Sequence, residues 1–222
     1  MAMAFETDNS RGKPRRKTKK TVIATAGGGL TGFLGAMAVT ELAESGMLGD
    51  FGPSQEIAAL VAMIYLVTAL AVGIGLASPG FGARFLNVED AEELREQRRM
   101  LGYSSAGMVA LGVALILAAL AAPVGPVPET VALVAVVLLV AFAWWAGARQ
   151  RRHTDELMNS VSREATSIGF YLLFLIGGGW ALLAHVGYAP APAPLDWLTM
   201  FAGLLLLAAF IAGGKRGLLA MR

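Results

Sequence analysis

The sequence predicts an all-α polytopic membrane protein, six transmembrane helices in three hairpins with both termini cytoplasmic. Three observations carry that expectation. The 222 residues are 56% hydrophobic and 15% charged, with a mean hydropathy of +0.61, which leaves too little polar surface to clothe a soluble core of this size. The apolar residues fall in six long runs rather than one-faced stripes, the pattern of helices surrounded by lipid. Threading the chain through those runs places all 18 Lys and Arg residues on one side. By the positive-inside rule that side is the cytoplasm and the membrane is the inner, or cell, membrane.

Residues 1–20 form a basic tail whose "RGKPRRKTKK" (11–20) suits anionic lipid, at about 1 kcal/mol per basic residue near the surface. Nucleic acid is set aside, because the tail has no interleaved aromatics and is pinned beside the membrane. The first span, 21–40, follows. Its basic lead and an "AMA" at 36–38 resemble a signal peptide. The apolar run is long and no exported soluble domain follows, which favours an uncleaved anchor. "GGGLTG" (27–32) matches a dinucleotide-binding glycine template, yet it lies in an apolar run with no preceding strand. Gly28 and Gly32 instead form a G-x-x-x-G pair suited to close helix packing, within the chain or against a second copy.

The second span is expected at 57–77, after Pro53. A charged elbow, "NVEDAEELREQRRMLGY" (87–103), leads into the third. Asn87 stands as a cap, with acids early and arginines late, which complements a helix dipole. Glu92–Arg95 and Glu96–Arg99 are spaced to pair. Spans three and four, 104–122 and 130–148, are parted by Pro123, Pro126 and Pro128. A second elbow, 151–167, offers Thr154 as a cap and Asp155 and Glu156 in a first turn. "EEL" (92–94) and "DEL" (155–157) hint at a repeated unit of cytoplasmic helix and two-span hairpin. The fifth span, 166–187, carries Gly177, Gly178 and Gly179, read first as packing surface. "YAPAPAP" (188–194) separates it from the sixth, 197–213. Residues 21–222 thus make one six-helix domain, with aromatics such as Tyr103, Trp144 and Trp145 near the inner boundary.

The chain has no cysteine and two histidines, His153 and His185, so neither a cofactor nor a metal is expected. No zinc-protease, serine-hydrolase or P-loop signature is present, and no Asp, Lys or Arg lies near a midplane. Glu41 and His185, near the outer ends of their spans, are the intramembrane polar candidates, free to pair if those helices adjoin. The expectation is a non-enzymatic protein that binds, tethers or regulates a cytoplasmic partner. Its contact residues are Glu92, Glu93, Arg95, Arg98, Arg99, Arg151, Arg152, Asp155 and Glu156. One alternative is a small transporter or permease subunit with a path near Gly177–Gly179. Another is a lipid-modifying enzyme using Glu41 and His185.

Overall fold

A computed structural model describes residues 51–78, 80 and 91–217, with 32, 35, 37, 38, 40, 41, 45 and 46 before them. Asn87, Gly28 and the basic tail lie outside the described residues. The helices are α1 (Pro53–Ala77), α2 (Ala91–Glu96), α3 (Arg98–Ala119), α4 (Glu129–Arg151), α5 (Glu156–His185) and α6 (Pro194–Lys215). All but α2 are long and apolar enough to cross a membrane. Among the described residues there is no strand; the pairing of Ala121 with Val127 is an isolated bridge. Of the first expected span only scattered residues, among them Gly32, Gly35 and Glu41, are described, and these are helical.

Helix ends extend beyond the apolar runs because capping, not hydropathy, decides where a helix stops. Pro53 and Pro194 do not merely separate spans; each is the first residue of a helix, where a missing N–H costs nothing. In both cases the residue three beyond the cap closes the turn. Gln55 accepts from the Gly52 N–H at 3.2 Å, and Asp196 from the Ala193 N–H at 2.7 Å. At the other end of α5, Gly187 adopts φ +86°, which an L side chain rarely tolerates. Tyr188 N–H then reaches the Leu183 carbonyl at 2.9 Å and Gly187 N–H that of Ala184 at 3.1 Å, a Schellman ending.

The packing is inside-out. Among the described residues every buried apolar side chain except those of Tyr65, Leu94 and Leu115 is an alanine's, while large side chains such as Leu138, Phe174 and Trp144 point outward. Such a distribution suits lipid, where close backbone approach and not hydrophobic burial holds helices together. On α1 the stripe Ala58, Ala62, Tyr65 and Ala69 is buried. Gly112 of α3 lies so close to it that a Cβ would stand 2.9 Å from the Leu66 side chain and 3.0 Å from the Ala62 carbonyl oxygen. Gly107 meets α4 at Ala143 and Ala146, and Gly169 of α5 meets Leu205 and Ala208 of α6. Hydroxyls reinforce two of the contacts. Ser105 Oγ donates to the Ala69 carbonyl at 2.9 Å and Tyr65 Oη to that of Ala202 at 2.9 Å.

These contacts order the helices as α4, α3, α1, α6, α5. Two antiparallel hairpins, α3–α4 and α5–α6, are joined through α1, and α4 does not close onto α5 or α6. Gly35 approaches Met63 of α1, where an added Cβ would collide with the thioether, so the described part of the first span also packs on α1. Gly32, expected to pack, has open space at its Cβ position. The face presented to α1 is thus set by Gly35, one turn further along.

Candidate functional site

The fold gathers the described basic residues at one end. Arg98 and Arg99 begin α3, Arg149 and Arg151 end α4, Arg163 lies in the early turns of α5, and Lys215 and Arg216 close α6. Contacts across the hairpins hold those ends together. Glu164 of α5 receives Arg216 at 2.9 Å and Lys215 at 3.9 Å. Tyr103 of α3 stacks on His153 at 6.0 Å and meets Trp145 of α4 edge-on at 5.9 Å, with the Arg149 guanidinium 5.5 Å above Trp145. Ring and cation together are attractive there, by about 0.5–1 kcal/mol at exposed sites. The opposite end carries Glu56, Glu129 and Asp196 in the first turns of α1, α4 and α6.

The first elbow is described from Ala91. It is not one helix running into α3: α2 stops at Glu96, and Gln97 turns the chain before Arg98. Leu94, only 1% exposed, is its anchor. Glu92, Arg95, Glu96, Arg98 and Arg99 are exposed; of Glu93 only the helical backbone is described. Neither Glu92–Arg95 nor Glu96–Arg99 forms an ion pair among the described residues.

The second elbow is built differently. Asp155, not Thr154, caps the helix, accepting from Met158 N–H at 2.7 Å. Thr154 instead turns back to the Gln150 carbonyl at 2.8 Å, which the His153 N–H also approaches at 2.9 Å. Asn159 donates to the Thr154 carbonyl at 3.3 Å. The Gln150 carbonyl, left without a helical partner at the end of α4, is thereby satisfied. The elbow is also no separate helix, since α5 runs unbroken for 30 residues, about 45 Å, and outreaches a hydrocarbon core of about 30 Å. Arg151, Arg152, Asp155 and Glu156 are exposed.

Between the two elbows opens a cavity of about 620 Å³, lined on its polar side by Gln150, Arg151, Thr154, Asn159, Ser162 and Thr166. Of the expected contact residues it includes Arg151 alone. Sequence reasoning missed Glu164, the cavity and its polar rim. No local signal marks Glu164, because its partners stand more than 50 residues away.

The other candidates do not converge. Glu41 and His185 are exposed and form no ion pair with each other among the described residues. Gly177 is buried against Trp197, where a Cβ would stand 3.0 Å from the ring. At Gly178 and Gly179 a Cβ would meet nothing, and α5 passes through all three without a break. Tyr65 and Thr68 satisfy their hydroxyls on carbonyls, Thr68 on Ile64 at 2.7 Å. No group of three His, Asp or Glu residues able to hold a metal ion occurs among the described residues. Comparison with protein-family models, curated proteins and solved structures finds no match.

Proposed function

We propose that this chain is a non-enzymatic, multi-pass protein of the inner membrane that binds a cytoplasmic protein partner through residues 91–103 and 151–167. On this reading six spans, the first at 21–40, place both termini and the whole basic end in the cytoplasm. The one-sided distribution of all 18 Lys and Arg residues supports the orientation.

One observation carries the binding reading. Arg95, Arg98, Arg99, Arg151 and Arg152 are exposed at one end of the bundle and make no ion pair among the described residues, whereas Lys215 and Arg216 are both engaged by Glu164. Charge that the fold leaves unused steers and orients an acidic partner surface. The basic tail adds attraction to anionic lipid and keeps the same face against the headgroups. The test is affinity purification of the full chain in mild detergent beside an Arg95→Glu/Arg98→Glu/Arg99→Glu variant. A stoichiometric soluble protein should accompany the native chain and be lost from the variant. Identical co-purifying proteins from both would end the proposal.

A further inference from the structure

The cavity between the elbows continues into a second one of about 250 Å³. Tyr65, Leu111, Val140 and Leu205 line both, so the two form one trough. Its floor is α3 with Tyr65 of α1, and its walls are α4 on one side and α6, with the start of α5, on the other. It exists because α4 packs on α3 and does not close onto the second hairpin. It is open along its length: Trp144 on one wall, and Phe201 and Leu205 on the other, are among the exposed large side chains.

The trough is amphiphilic along its axis. The part toward the acidic end is lined by apolar residues apart from Tyr65, whose hydroxyl is already bonded to Ala202. At the basic end the lining turns polar. The Thr154 and Thr166 hydroxyls already donate to the Gln150 and Ser162 carbonyls, which leaves the Gln150 amide, the Ser162 hydroxyl and one guanidinium, that of Arg151, as donors. The two features are separated by a telling length. From Arg151 to Val140, where the cavities meet, α4 rises about 17 Å, close to the about 15 Å of one leaflet's hydrocarbon. The basic-end cavity, about 620 Å³, also lies within the about 300–1,000 Å³ of small-molecule sites in general.

We propose that this trough holds one anionic phospholipid of the leaflet at the basic end, its phosphate on Arg151 and the neighbouring donors and an acyl chain lying between α4 and α6 toward Tyr65. A gap of this depth facing hydrocarbon forfeits dispersion contacts unless chains fill it. The Arg151 charge selects a phosphate that carries net negative charge. The site shares Arg151 with the partner surface proposed above but needs no protein partner, and it does not depend on which compartment the basic end faces.

The full chain, purified in mild detergent, is mixed with palmitoyl-oleoyl phosphatidylglycerol or with the phosphatidylcholine of identical chains, and retained lipid is counted by native mass spectrometry. One phosphatidylglycerol should remain per chain, in preference to phosphatidylcholine. Arg151→Gln should lower its retention about fivefold and erase the preference. Gly147→Leu should displace both lipids, because Gly147 lines the cavity and an added Cβ there meets nothing; for the same reason the variant should keep the native helical spectrum. Equal retention of the two lipids by the native chain, or undiminished retention by folded Gly147→Leu, would overturn the assignment. So would a lipid-free dimer that Gly147→Leu splits, which would place a second copy in the trough. Should Gly147→Leu not fold, the Arg151→Gln comparison decides alone.

Discussion

The two elbows share acids followed by leucine, with arginines close by, yet the fold uses them in different ways. In the second, polar groups are spent on structure: Asp155 caps α5, Thr154 and Asn159 tie the turn, and Glu164 clamps the end of α6. In the first, Leu94 supplies the anchor, while Arg95, Arg98 and Arg99 face outward without an ion pair among the described residues. Similar composition therefore conceals a division of labour: the second elbow is a joint that still exposes Arg151 and Arg152, and the first is chiefly a surface.

Substitutions at the helix contacts beneath each elbow should break the comparison most strongly. Gly112→Leu forces a side chain into Leu66 and the Ala62 carbonyl; an overpacking cost of about 1–3 kcal/mol is expected as a lower midpoint in denaturant titration. Gly169→Ala, whose Cβ would sit at an ordinary 3.5 Å from Ala208 and Leu205, should leave the midpoint unchanged or raise it. Next comes the cap. Asp155→Ala should cost about 1 kcal/mol and speed amide exchange in the first turn of α5, with α2 unaffected.

Smaller still is the clamp. Glu164 and Arg216 are each about one-third exposed, so Glu164→Gln should cost about 0.5 kcal/mol, an effect that fades in high salt. The smallest effect on stability belongs to the first elbow. Reversing Arg95, Arg98 and Arg99 together should stay within about 0.5 kcal/mol while abolishing partner capture. A large loss of stability in that variant would mean that both elbows are joints.

Five helices long and apolar enough to span a membrane were legible in the sequence because their apolar runs are long and their breaks carry proline or, between α4 and α5, a run of charge. The ends were less so. Residues 98–103 and 156–165 are helical yet polar, and hydropathy stops where lipid stops, not where the backbone hydrogen bonds do. Thr154 and Asp155 are both good caps, and only the bond from Thr154 back to Gln150 decides between them. Neighbour relations were illegible for a different reason. Helices α1, α4 and α6 are apolar on every face, so periodicity does not tell a lipid-facing side from a packed one. The order α4, α3, α1, α6, α5 follows instead from where glycine and alanine let backbones meet, and the trough follows from that order.

The chain has no native cysteine, which makes the orientation of its two ends directly measurable. Single-cysteine variants Tyr188→Cys, at a residue 85% exposed beyond α5, and Arg152→Cys, in the turn after α4, would be treated in intact cells with a membrane-impermeant maleimide. Labelling of the first at once, and of the second only after the membrane is opened, is the expected result. Immediate labelling of Arg152→Cys with Tyr188→Cys protected would contradict a basic end in the cytoplasm, and with it the partner surface assigned there.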